Sequence, residues 1–376
     1  MRSIMLAGAA CGIALLFTLV PAAQAAPAGW PEWNAFAARF IQDDGRVIDL
    51  TFDGKSTSEG QSYGLFFALV ANDRPRFDTI LAWTSDNLAS GGLGDELPAW
   101  HWGKRDDGEW GVKDPNAASD ADLWLAYTLL EAARLWKAPR YEDTGRGLLA
   151  LVREKEVVDA GASGTLLLPG PVGFALEGGR YRVNPSYVPG FMFRYLAAVD
   201  AKGPWAAVWQ SYLRLAPQAF SAGVAPDLFI VDARGRVSQD SEREPSGSYD
   251  AIRVYAWAGM SGRDGEPLLE LLRPYAAIVR ADGAPPEKVD PATGKALAAD
   301  YAPIGYAGAI LPFLRALDER EALEAQLERL RRAEDEARGG APTNYYDQAL
   351  ILFGKGWLDG RYAFDAEGRL APAWAR

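Results

Sequence analysis

Apolar positions recur at helical spacing along most of the chain, and strands are confined to short patches. The periodicity predicts twelve helices, near Pro31–Gln42, Glu59–Ala71, Arg76–Leu88, Ser119–Trp136, Asp143–Val158, Pro189–Val199, Pro204–Phe220, Tyr249–Ser261, Glu266–Arg280, Pro303–Leu317, Arg320–Ala337 and Thr343–Trp357. They alternate in character. Those starting at Glu59, Ser119, Pro189, Tyr249, Pro303 and Thr343 are apolar or aromatic on nearly every side, whereas the others carry a charged stripe. A helix apolar all round is buried, and one with a polar stripe meets water along it. Six buried helices alternating with six half-exposed ones predict an all-α fold, an (α/α)6 barrel with an inner ring inside an outer one. The β-like patches at Thr165–Val183 and Leu228–Val237, with Gly-rich turns between them, predict short hairpins at one rim.

The first residues carry a different pattern. Arg2, the apolar stretch Met5–Val20, the helix breaker Pro21 and the small-residue site Ala23-Gln24-Ala25 are the parts of a secretory signal. Cleavage is expected after Ala25, giving a signal at 1–25 and an exported protein, periplasmic or extracellular, with no membrane attachment left. No linker or low-complexity segment divides 26–376, so one catalytic barrel domain is expected there.

Composition removes several kinds of chemistry. The single cysteine, Cys11, falls in the signal, which excludes disulfides and thiolate sites from the remainder. One histidine, His101, rules out chemistry needing several imidazoles, and a net charge of −11 with no basic face argues against nucleic acid as a partner. Thirteen tryptophans and fifteen tyrosines stand out, several beside Gly, Pro and Asp, as in Trp100-His101-Trp102-Gly103. Most large rings fill a core; the loop-borne few suit the flat C–H faces of sugars.

Three segments carry candidate chemistry. In Ser58-Glu59-Gly60-Gln61-Ser62-Tyr63-Gly64, Ser58 can cap a helix and Glu59 suits the positive end of its dipole. Capping leaves Gly60 and Gly64 unexplained, since each costs roughly 1 kcal/mol inside a helix and is kept where something approaches closely. In Ala118–Tyr127, Ser119 or Asp120 can cap, and Asp120 with Asp122 also allows a calcium site. In Gly247-Ser248-Tyr249-Asp250-Ala251-Ile252-Arg253, Arg253 lies three residues after Asp250 on one helical face, where it would hold the carboxylate ionised. All the inner helices of such a barrel run the same way, so Glu59, Asp120 and Asp250 should meet at one mouth.

Together these segments, with Asn184-Pro185-Ser186-Tyr187 and Asn344-Tyr345-Tyr346-Asp347-Gln348, resemble glycoside hydrolase family 8, formerly cellulase family D. The likeness spans the exported chain and is nearest to the branch encoded with bacterial cellulose-synthesis machinery. It implies an (α/α)6 barrel and an inverting endo-β-1,4-glucanase that needs neither metal nor cofactor. Glu59 then corresponds to the general acid, Asp250 to the general base and Asp120 to the carboxylate that holds and distorts the sugar. Tyr187 and Arg253 correspond to residues around the attacking water, and Tyr345 or Tyr346 to a ring facing the sugar; Trp100 and Trp102 are candidate platforms. The implied partner is a β-1,4-glucan chain, together with a cellulose synthase export complex. Alternatives are a family-8 xylanase, chitosanase or mixed-linkage glucanase, a polysaccharide lyase on the same barrel, and a non-catalytic glucan-binding subunit of an export complex.

Overall fold

The computed structural model describes residues 29–376 apart from 241, 299, 300 and 342, so the expected signal at 1–25 lies outside the described residues. Among the described residues thirteen α-helical segments form: α1 Pro31–Phe40, α2 Ser58–Val70, α3 Arg74–Leu88, α4 Ser119–Trp136, α5 Arg140–Lys155, α6 Gly190–Val199, α7 Trp205–Ala219, α8 Ala251–Met260, α9 Glu266–Asp282, α10 Ile304–Ala309, α11 Leu311–Ala316, α12 Arg320–Arg338 and α13 Tyr345–Leu358. The extra segment has a simple cause. Pro312 has no N–H to give the Gly308 carbonyl, and the expected helix at 303–317 splits at Ile310 into α10 and α11.

The alternation in the pattern becomes two rings. Helices α2, α4, α6, α8, α10–α11 and α13 follow one another around the inside, with α4 meeting α6 through Tyr127 and Tyr195 and α13 meeting α2 through Phe353 and Tyr63, while α1, α3, α5, α7, α9 and α12 pack on their outer faces. All of α8 is buried, and so are the first fourteen residues of α4. In α2 the one residue that is not buried is Glu59. The result is an (α/α)6 barrel. No described helix is long and apolar enough to cross a membrane.

Aromatic rings close the barrel axis. Phe66 from α2, Trp124 from α4, Trp257 from α8 and Phe353 from α13 meet at centroid distances of 4.9 to 5.6 Å, offset or edge-on. Most tryptophans and tyrosines on the inner helices therefore belong to the core. The expected hairpins form, and pairing of Arg180–Val183 with Phe229–Asp232 joins two of them into a four-stranded antiparallel sheet. Ser56–Thr57, His101–Lys104 and Trp110–Asp114 make a further sheet at the head of α2. Another hairpin, Tyr362–Phe364 with Leu370–Pro372, packs at the opposite end, where Tyr127 donates to the Gly368 carbonyl and Glu131 accepts from Leu370 N–H.

Close contact between α10 and α13 depends on glycine. A Cβ on Gly354 would stand 1.8 Å from the Gly308 carbonyl oxygen. Gly354→Ala should therefore force the two inner helices apart and destabilise the protein by about 2 kcal/mol or more. Thermal unfolding checks this; an unchanged melting temperature would mean the contact is not as tight as described.

Candidate active site

Arg253, in the first turn of α8, is buried at the centre of the mouth. Its Nη1 donates to Glu59 Oε2 at 2.6 Å, to Asp120 Oδ2 at 3.0 Å and to the Tyr63 hydroxyl at 2.8 Å. Its Nη2 donates to Asp250 Oδ1. Three carboxylates from α2, α4 and the head of α8 thus converge on one cation, as the common direction of the inner helices requires. Tyr187 joins them from the short turn Pro185–Tyr187, with the Arg253 guanidinium 5.7 Å from its ring centre.

One cation cannot neutralise three carboxylates, and Asp120 and Asp250 hold protons more readily than free aspartates do. Burial pushes Asp120 upward, helped by Glu59 and Asp250 and opposed by Arg253 and the Ala121 N–H. Burial also raises Asp250, to about 6, with Asp227 and Glu59 adding to the shift and Arg253 pulling it back. The expectation that Arg253 simply holds Asp250 ionised needs correcting: Arg253 offsets a larger desolvation. At neutral pH the Asp250 carboxyl is still mainly ionised, and 38% of its side chain remains open to solvent.

Each helix head is held differently from what capping preferences suggest. At α2 the cap is Thr57, whose Oγ1 accepts from Gly60 N–H at 3.0 Å, while the Ser58 hydroxyl is buried without a hydrogen-bond partner. Gly60 and Gly64 each make room for protein: a Cβ would stand 3.2 Å from the Tyr345 hydroxyl at the first and 3.0 Å from Val47 Cγ2 at the second. At α8 the cap comes from Asp227, twenty-odd residues upstream. Its Oδ1 accepts from the N–H groups of Ser248, Asp250 and Ala251 at 2.8, 3.1 and 2.9 Å, and its Oδ2 accepts from the Ser246 and Ser248 hydroxyls. At α4 neither Ser119 nor Asp120 caps in the usual way. Ser119 donates its N–H to Pro169 O and its hydroxyl to Leu168 O. Asp122 faces Glu156 in the interior, and among the described residues no acidic or imidazole cluster suits a metal ion, so the calcium reading finds no support.

Two hollows meet at Asp250. One, of about 450 Å³, is lined by Glu59, Asp250, Arg253, Tyr345 and Tyr346, with Phe52, Tyr249 and Tyr301 on its wall. The other, of about 350 Å³, runs past Asp227, Asp240, Arg243 and Glu244. Tyr345 is buried against Phe36 and Phe40, whereas Tyr346 is only half-buried and donates its hydroxyl to Tyr249 O at 2.5 Å. The rings most open to the larger hollow are Phe52, 61% exposed, and Tyr301, 53% exposed. Neither stood out in the sequence, since one aromatic in a polar loop has no periodicity to mark it.

Trp100 and Trp102 line neither hollow. The Trp102 ring is engaged by Trp110, stacked at 5.3 Å, by the edge of Trp83 and by the Arg46 guanidinium at 4.3 Å. Trp100 stays beside the mouth: its carbonyl accepts from Ser58 N–H at 3.1 Å, which fixes the entry into α2, and its side chain hydrogen-bonds Asp114.

Residues 8–360 match the family described as Glycosyl hydrolases family 8. The chain is 46% identical to an endoglucanase of Xanthomonas axonopodis pv. citri (strain 306), across 99% of this chain and 97% of that protein. It is 42% identical to an endoglucanase of Escherichia coli (strain K12), across 97% of each. The crystal structure of an endo-1,4-D-glucanase from Vibrio fischeri ES114 superposes with a TM-score of 0.85 at 37% identity, covering 92% of this chain and all of that one.

The geometry alone makes a stability prediction. Arg253→Leu leaves three mutually repelling carboxyls at the mouth, and removing one partner of a buried ion pair costs about 3–5 kcal/mol. The low end is expected, because Glu59 and Asp250 still reach solvent. Lowering the pH should restore part of the loss as the carboxyls protonate, so thermal scans should show this variant closer to wild type at pH 5 than at pH 7. An equal deficit at both would show that repulsion is not its source.

Proposed function

The chain belongs to glycosyl hydrolase family 8 and is a glycoside hydrolase; from this premise we propose that it is an endo-β-1,4-glucanase acting by inversion, with Glu59 as acid and Asp250 as base. The observation that carries the reading is the placing of Glu59 and Asp250 on opposite amino nitrogens of one guanidinium, at the join of two open hollows. The two carboxyls come from separate inner helices and bind different nitrogens of Arg253, and in this reading a water fits between base and sugar. Inversion requires such space, with carboxyls about 6.5–9.5 Å apart against about 5–5.5 Å in retaining enzymes.

In this scheme Glu59 protonates the oxygen leaving the scissile bond, while Asp250 takes a proton from a water attacking the opposite face of the sugar. Asp120, deeper beneath the same cation, holds and distorts the sugar before the cleaved bond, and Tyr187 orders the water beside Arg253. Tyr346 is the better placed of the paired tyrosines to meet a sugar face, since Tyr345 is committed to the core. Phe52 and Tyr301 join Trp100 as candidate platforms, and Trp102 is the weaker one because its ring is already engaged. Every step uses protein groups and water, with no metal or cofactor.

The setting is proposed on sequence grounds. The signal-like start at 1–25 supports export and a single catalytic unit at 26–376, acting in the periplasm or outside the cell. The resemblance to the cellulose-synthesis branch supports a role in trimming glucan beside an export complex.

Glu59→Gln and Asp250→Asn should each lose hydrolysis of carboxymethylcellulose by about 10³-fold or more with the fold intact, an outcome read from initial rates alongside melting temperature. Fresh product should carry the α-anomer by proton NMR before mutarotation, and initial β-anomer would remove Asp250 from the role of base. The base must be ionised in the free enzyme. Accordingly kcat/KM should fall as pH drops through about 6, approaching tenfold per pH unit below it, where Asp250 takes up its proton.

A further inference from the structure

We propose that Asp122 and Glu156 share a single proton as a buried carboxyl pair, and that this pair positions Asp120 against the sugar. Both side chains are fully buried, and none of their four oxygens meets a hydrogen-bond donor of the chain. Yet the two side chains lie within hydrogen-bonding reach of each other. Two carboxylates cannot bond; one must carry the proton that joins them. The surroundings favour keeping it, since the groups acting on the pair are Asp120, whose charge raises both, and Lys155, which lowers Glu156.

The pair sits where Asp120 needs support. Asp122 is in the first turn of α4, two residues beyond Asp120, and Glu156 is the residue that ends α5. The Glu156 carbonyl accepts from Leu168 N–H at 2.8 Å, and the carbonyls of Leu168 and Pro169 accept from Ser119. The residue before α4, Ala118, offers no side-chain cap, so the shared proton and the Ser119 bonds tie down the head of the helix. Asp122 and Glu156 do not touch the guanidinium or the groove; they act through the backbone that carries Asp120. This role rests on the reading of Asp120 as the residue holding the sugar.

The linkage has a definite sign. Burial raises both carboxyls, Glu156 to about 8, so the folded protein holds a proton that the unfolded chain releases near pH 4. The pair's contribution to stability is complete at acid pH and is lost as pH rises towards about 8. In Glu156→Gln an amide N–H replaces the shared proton at every pH, so melting temperature should decline less between pH 5 and 8.5 than in wild type. Wild type minus this variant at pH 7 should show the infrared carbonyl band of a protonated carboxyl.

Glu156→Ala supplies no donor and should lower kcat on carboxymethylcellulose about ten- to a hundredfold, the scale of a small misplacement of a reacting group. Glu156→Gln should keep at least half of wild-type kcat at pH 6. Absence of the infrared band, or an equally steep pH decline in Glu156→Gln, would overturn the shared proton. Wild-type kcat in Glu156→Ala would overturn the positioning role, as would equal losses in Ala and Gln variants that both fold. The infrared and melting measurements do not use activity. A wild type inert on every glucan would therefore fail the functional reading while the shared proton was still scored.

Discussion

The contact among Arg253, Glu59, Asp120 and Asp250 is the constraint around which the mouth of the barrel is built. A guanidinium with its charge buried is tolerable only when paired on several sides, and here the pairs come from three stretches of chain far apart in sequence. Bringing them together needs helices that start at the same end and run the same way, which the alternation of inner and outer helices supplies. The helix heads add their own field. Partial positive charge at the N-termini of α2, α4 and α8 faces the carboxylates and supplements the one cation. Asp227 gives its acceptors to the head of α8, so the backbone that bears Asp250 is held by a residue more than twenty positions upstream.

The barrel was readable in the sequence because burial of a whole helix erases its polar stripe, and six such helices alternate with six striped ones. The limits of that reading are local. Pro312 divides one expected helix, and Arg74–Leu88 begins earlier than expected because Asp73 caps it and Pro75 fits its first turn. Glu59, Asp120, Asp250 and Arg253 were legible for a related reason: capping can explain a polar residue at any one helix head, but several such heads must meet at one mouth, and their segments together resemble one family. Tyr63, Asp227 and Glu156 were not. Their partners are 190, 23 or more than 30 residues away, and no local spacing encodes such pairings. The loop tryptophans show another limit. A Trp beside Gly signals a turn but not which side of the turn is open, and Trp102 turned inward to Trp110 and Arg46.

The floor of the site explains the balance of charge at its top. Tyr63, a hydrogen-bond partner of Arg253, rests edge-on against Phe353 at 4.8 Å and Trp124 at 6.0 Å, and beneath them the aromatic rings fill the axis. The medium below the carboxylates is apolar, and for Asp120 and Asp250 desolvation outweighs the pairing with Arg253. Arg253 therefore cannot be regarded as a residue that makes the site acidic or basic. It brings Asp250 back to about 6, where the carboxyl is ionised near neutral pH yet still binds a proton more strongly than an ordinary aspartate. A general base works best with its affinity near the working pH, because a carboxylate held far lower would stay ionised but have little tendency to take a proton from water. Burial raises the Asp250 carboxyl and Arg253 pulls it back, so its proton affinity reflects the two together. The fold supplies both influences from the same inner helices, which makes the packing of the barrel and the strength of the proposed base one physical problem.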